Sequence, residues 1–232
     1  MGFSDSQHFR KMVAGVCMIL APLLFLAAFV ISPQLETKAG KQLAVASAHL
    51  DRYYISTLVA MIGLFLFVPA ILGLMHMVRE RRAGYGAVGG ALTMIGVLGA
   101  LVGCGGGFAI WQMASDGVQP ADVTAVHGML NTAGAVIPLG ILGMVGAVGA
   151  VVLGAGLYMS RVVDWWMALF FAAGIVCINV AFPAGALWLG IVGSALTLVG
   201  VCSMGFLVIR ESDADWEHTP DYRGMRPAAG MS

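Results

Sequence analysis

Six long apolar stretches run through the chain, roughly Lys11–Ile31, Tyr53–Val78, Tyr85–Trp111, Val123–Ser160, Trp165–Phe182 and Ala184–Ile209. No Asp, Glu, Lys or Arg lies deep within any of them. About 20 consecutive apolar residues suffice for a helix to cross the hydrocarbon core of a bilayer. Lipid offers no partner to a backbone N–H or C=O, so a spanning segment must satisfy these groups internally, as a helix does. The pattern predicts an all-α, polytopic bundle of six transmembrane helices over residues 1–210, built as tandem helix hairpins, with a disordered cytoplasmic tail over residues 211–232.

Composition excludes the main alternatives. Hydrophobic residues make up 59% of the chain and charged ones 10%, whereas soluble domains carry about 25% charged residues. The formal net charge is zero, so no basic field recruits nucleic acid. The partner implied is the lipid bilayer itself, with a homo-oligomer or a membrane-complex partner as a further expectation. The pieces between the stretches are too short to hold a soluble domain. The first apolar run, Met12 to Ile31, exceeds the 7–15 residues of a signal-peptide core, so it reads as an uncleaved span. The four cysteines, Cys17, Cys104, Cys177 and Cys202, all fall inside predicted spans and form no CxxC pair. They read as small buried apolar residues rather than a disulfide or metal framework.

Lys and Arg in the connections set the orientation. Arg10, Lys11, Arg79, Arg81, Arg82, Arg161 and Arg210 all fall on one side, and the other side has only Lys38, Lys41 and Arg52. This bias predicts a plasma (inner) membrane protein with both termini cytoplasmic. Pro22, Pro69 and Pro138 lie inside spans and predict bends.

Two features hint at internal duplication. Leu72-Gly73-Leu74 before Arg79 matches Leu153-Gly154-Ala155 before Arg161, and Val45-Ala46-Ser47-Ala48-His49 matches Val123-Thr124-Ala125-Val126-His127. The chain holds 32 glycines, with runs at Gly99, Gly103 and Gly107 and at Gly140, Gly143, Gly146 and Gly149. In lipid, helix association depends on close backbone approach, which glycine allows. These runs predict that the third and fourth spans pack together.

The residues that could carry function cluster at the predicted outer ends. His49 and His127 stand at equal depth, with Asp51 and Arg52 beside the first and Asn131 one turn inside the second. Together they predict an outward-facing polar pocket. The leading expectation is a non-enzymatic membrane protein, an accessory or small-molecule-binding component with no cofactor. One alternative is a single-haem (haem b) or divalent-metal electron-transfer protein using His49 and His127, since imidazoles ligate both. Another is a small-solute facilitator, because the spans lack the buried charge an ion-coupled carrier uses. Met75-His76-Met77 reads as interfacial, since Met75 and Met77 do not share a helical face. No GxxxxGK[ST], HExxH or GxSxG motif is present.

Overall fold

The computed structural model describes residues 3–212 and Trp216. Among them the chain is all-helical: α1 (Phe3–Ile31), α2 (Ala39–Ala48), α3 (Leu50–Ser115), α4 (Pro120–Asn131), α5 (Ala133–Ser160), α6 (Trp165–Ala184) and α7 (Leu187–Arg210). Five of these, α1, α3, α5, α6 and α7, are long and apolar enough to cross a membrane.

The longest element cannot be one straight rod. Unbroken, α3's 66 residues would extend about 100 Å, more than three times the thickness of a hydrocarbon core. The helix breaks at Arg82, whose φ of −144° and ψ of 51° are non-helical. The chain then runs back along itself. Tyr54 meets Phe108 edge-on and Trp111 at a tilt, at ring separations of 5.7 and 4.8 Å. Nearer the break, a Cβ on Gly86 would come 3.3 Å from the Met75 carbonyl oxygen. The two arms of α3 therefore lie side by side.

Hydrogen bonds identify which helix ends share a face of the bundle. At one end, Lys11 Nζ donates to the Glu211 carbonyl at 2.8 Å, and Arg79 Nη2 donates to that of Trp216 at 3.2 Å. At the same end Arg81 Nη1 donates to the Ser160 carbonyl at 3.0 Å. The start of α1, the break in α3 and the last turns of α5 and α7 thus meet there, the Ser160 and Glu211 carbonyls being ones that a helix end leaves unpaired. This is the basic end. At the far end, Arg52 Nε donates to the Ile31 carbonyl at 3.1 Å, closing the C-terminus of α1 against the start of α3.

Glycine sets the helix contacts. A Cβ on Gly146 would sit 2.7 Å from Gly96 Cα, and one on Gly99 would sit 2.7 Å from Leu142 Cβ. The α3–α5 crossing thus brings backbone against backbone. The expected packing of these two segments is present, but it uses only part of the glycine runs. Gly103 and Gly140 face open space, and Gly107 meets Thr57 of the other α3 arm. The α6–α7 pair repeats the device: a Cβ on Gly193 would lie 2.8 Å from the Gly174 carbonyl oxygen. Hydroxyls inside the helices bond back to their own turns, as Thr93 does to Gly89 at 2.7 Å and Thr197 to Gly193 at 2.9 Å. No buried polar side-chain atom is left without a partner among the described residues.

The structure departs from the sequence expectations in three places. The fourth apolar stretch, 123–160, is two helices rather than one. Thr132 is extended (φ −81°, ψ 128°) and separates α4 from α5. Pro120 at the first helical position and Asp122, whose Oδ2 accepts from the Gln119 N–H at 2.7 Å, start α4 independently. The segment 32–52, expected as a loop, contains α2. The tail beyond Arg210, expected to be disordered, lies largely outside the described residues, but Trp216 is 6% exposed and belongs to the core at the basic end.

Packing is uneven along the bundle. At the basic end Met18, Leu74, Leu153, Phe171 and Met204 come from five different helices and are all buried. Towards the far end α5 loses its neighbours: every described residue from 133 to 141 is exposed. Above it, α2 and α4 form a small cap with its own core of Leu43, Ala46, Tyr53, Ile110 and Val126.

Candidate functional site

The cap positions the polar residues singled out in the sequence. Gln42 of α2 is the cap's internal brace. Its Nε2 donates to the Tyr53 hydroxyl at 3.1 Å, and its Oε1 accepts from the Glu36 N–H at 3.0 Å. That brace ties α2 to the first turn of α3 and to the segment that precedes α2.

Between α2 and α4 lies an open cavity of about 470 Å³, lined by Lys38, Ala39, Gly40, Val123, Thr124, His127 and Asn131. His127 and Asn131 sit one turn apart on α4, with Asn131 Nδ2 3.3 Å from His127 Nδ1. With the amide nitrogen donating, Nδ1 is the acceptor and the ring N–H lies on Nε2. Thr124 donates its hydroxyl to the Pro120 carbonyl at 3.3 Å, leaving its oxygen lone pairs as acceptors. Lys38 is the only charged residue in the lining, and no carboxylate accompanies it. The cavity therefore presents an ammonium group and an imidazole N–H to whatever enters. Such a donor set suits an anionic oxygen.

The structure distributes the remaining candidates differently. His49 is the joint between α2 and α3, exposed, with backbone angles of −138° and 47°. Its side chain makes no hydrogen bond among the described residues. Asp51 is likewise exposed, and Arg52 is committed to the Ile31 carbonyl. None of these three lines the cavity that holds His127 and Asn131. Among the described residues, no three His, Cys, Asp or Glu side chains gather into a metal-binding group. Asn179 on α6 donates to the Ile175 carbonyl of its own helix at 2.9 Å.

Sequence reasoning missed Lys38 as a site residue, counting it only toward charge bias. Lys38, Lys41 and Arg52 are the cations of the far end, and nothing in the sequence singles Lys38 out among them. A second open cavity, of about 450 Å³, lies at the α5–α6 turn. It is lined by Arg161 and Asp164 together with Tyr158 and Trp165, so its charges are of both signs. The chain matches no family model, no curated protein and no solved structure.

Proposed function

We propose that the chain is a non-enzymatic, six-span protein of the plasma (inner) membrane that binds a small anionic molecule in an outward-facing pocket. The cavity at Lys38, Thr124, His127 and Asn131 carries this reading, because it joins the Lys38 ammonium to an imidazole N–H donor and its lining holds no carboxylate. The six spans follow from counting the two arms of α3 separately. Successive spans then form three hairpins, each closed at the far end and joined to the next at the basic end. The concentration of Arg79, Arg81, Arg82, Arg161 and Arg210 at one end supports a cytoplasmic location for that end.

Orientation and binding are tested separately. In a chain whose native cysteines are replaced by alanine, a membrane-impermeant maleimide should label Ala121→Cys in intact cells. The same reagent should reach Ala83→Cys only after permeabilisation. Labelling of the latter in intact cells would reverse the topology.

For the pocket, inorganic phosphate and a short-chain phosphatidate serve as probes, titrated against the detergent-purified protein with melting temperature as the readout. At least one should raise the melting temperature saturably. Lys38→Ala should weaken that effect about tenfold, the loss expected for one charge-assisted contact worth roughly 1.5 kcal/mol. Lys38 is exposed, so the substitution leaves the fold intact. Equal titrations for parent and Lys38→Ala would remove the pocket as an anion site.

A further inference from the structure

The turn between α5 and α6 holds two opposite charges that the fold itself leaves unused. Arg161 and Asp164 line the same open cavity of about 450 Å³, and both side chains are exposed. Among the described residues neither side chain makes a hydrogen bond or an ion pair, with the other or with any third group.

The backbone around each makes this notable. Arg161 follows the last turn of α5 in the left-handed conformation, at φ 54° and ψ 30°. Glycine is the usual occupant of that position, because a side chain there strains the backbone. An arginine held in such a conformation points to a use for its side chain. Asp164 is the residue that precedes the first turn of α6, where an aspartate ordinarily accepts from the free N–H groups of that turn. Its carboxylate makes no such bond and lines the cavity instead.

The rest of the lining is apolar below and aromatic at the sides. Val163 and Met167 are buried, and Leu207 of α7 is partly exposed beside them. Tyr158 and Trp165 are 59% and 63% exposed, and these two residue types collect where a span meets the headgroup layer. The Arg81 bond to the Ser160 carbonyl anchors the last turn of α5 next to Arg161. The cavity lies within the range of small-molecule sites, about 300–1,000 Å³. A guanidinium fork binds a phosphate through paired N–H donors, and a carboxylate accepts from the N–H groups of an ammonium. A headgroup carrying both charges, joined to apolar chains, answers all three parts of the lining. A purely anionic headgroup would set like charge against Asp164, and a quaternary ammonium has no N–H to donate.

We infer that the α5–α6 turn binds a phospholipid of the leaflet at the basic end, one whose headgroup bears a primary ammonium as in phosphatidylethanolamine, with its phosphate on Arg161 and its ammonium on Asp164. The site stands at the opposite end of the bundle from the α2–α4 pocket and does not depend on what that pocket holds.

The test uses the full-length protein in detergent, titrated with short-chain phosphatidylethanolamine, phosphatidylcholine or phosphatidylglycerol and read by melting temperature. Phosphatidylethanolamine should raise the melting temperature saturably, at a concentration about tenfold below that needed of either other lipid, as one charge-assisted contact predicts. Free phosphoethanolamine, with the same charges and no acyl chains, should act more weakly than the lipid. Arg161→Gly suits the left-handed backbone, so this variant without lipid should melt no lower than the parent, while its response to phosphatidylethanolamine weakens about tenfold. Asp164→Asn keeps the shape and removes the charge, and should respond equally to phosphatidylethanolamine and phosphatidylcholine. It decides the matter if Arg161→Gly does not fold. Lys38→Ala should respond as the parent does, which separates this site from the α2–α4 pocket. Equal titrations with the three lipids, or a stronger response to phosphatidylglycerol, would overturn the proposal. A parent-like response in both Arg161→Gly and Asp164→Asn would overturn it too. Phosphoethanolamine acting as strongly as the lipid would replace the phospholipid with a soluble ligand and so refute the assignment.

Discussion

Gly146→Leu is expected to separate α3 from α5 and remove most of the folded protein. Even a single added carbon at Gly146 would stand 2.7 Å from Gly96 Cα, a backbone atom with no rotamer to move aside. Overpacking a close interface costs about 1–3 kcal/mol and occasionally more, and a clash with backbone belongs at the upper limit. For a chain of this size, about 3 kcal/mol corresponds to a fall in melting temperature of roughly 6–12 °C. Gly140→Ala is the matched control, since nothing lies within 4 Å of a Cβ there. A thermal melt in detergent, read by circular dichroism, should show the first variant lowered by that amount or lost as aggregate, with the second unchanged. Equal melting of Gly146→Leu and the parent would mean that α3 and α5 do not cross at Gly96.

The second large effect is expected at Phe171, a fully buried side chain of the largest class in the bundle. It lies where α6 meets both neighbours. A Cβ on Gly154 of α5 would be 3.9 Å from its ring, and one on Gly200 of α7 would be 2.8 Å from its backbone nitrogen. In a water-soluble protein Phe→Ala costs about 3–5 kcal/mol. Here part of that cost vanishes, because lipid is as apolar as the core and moving the ring between them gains little. What remains is the cavity and its lost dispersion contacts, which puts the expectation near the lower limit, about 3 kcal/mol. Phe206→Ala, on a side chain 51% exposed, should melt within a degree or two of the parent. Comparable melting of the two variants would show that the α5–α6–α7 contact is not the centre of the fold.

How far the fold could be read from sequence follows from what each signal encodes. Length and apolarity fix that a segment is helical and lipid-solvated, so α1, α6 and α7 fall close to the predicted limits. The reversal at Arg82 was legible because Arg79, Arg81 and Arg82 interrupt an otherwise continuous apolar run. The break at Thr132 was not, because Asn131 and Thr132 are mild interruptions that hydropathy averages away. The local chemistry of Pro120 and Asp122 was the better signal for a separate α4. The glycine runs correctly predicted the α3–α5 contact but not its register. Spacing along one helix says nothing about where the partner's narrow face lies, so Gly96 was overlooked and Gly103 overvalued.

The candidate site was half legible. His127 and Asn131 were paired correctly, because four-residue spacing on a helix is a geometric constraint. His49, Asp51 and Arg52 were grouped with them by predicted depth alone, and depth does not determine direction around the bundle. Trp216 was hidden for the opposite reason. Its neighbours in sequence are acidic and small, and its neighbours in space come from α1, α3 and α7.

The solitary far half of α5 has a consequence for the membrane that hosts it. Every described residue of the helix from 133 to 141 is exposed, while from Ala150 to Leu157 it is clamped by the core. Only the clamped portion has its tilt dictated by side chains. The rest must follow acyl-chain length, leaning over in a thin bilayer and standing upright in a thick one. Pro138 lies within that free portion, and the α4 cap sits on top of it. A change in bilayer thickness is therefore expected to reach the residues around His127 through this portion of α5.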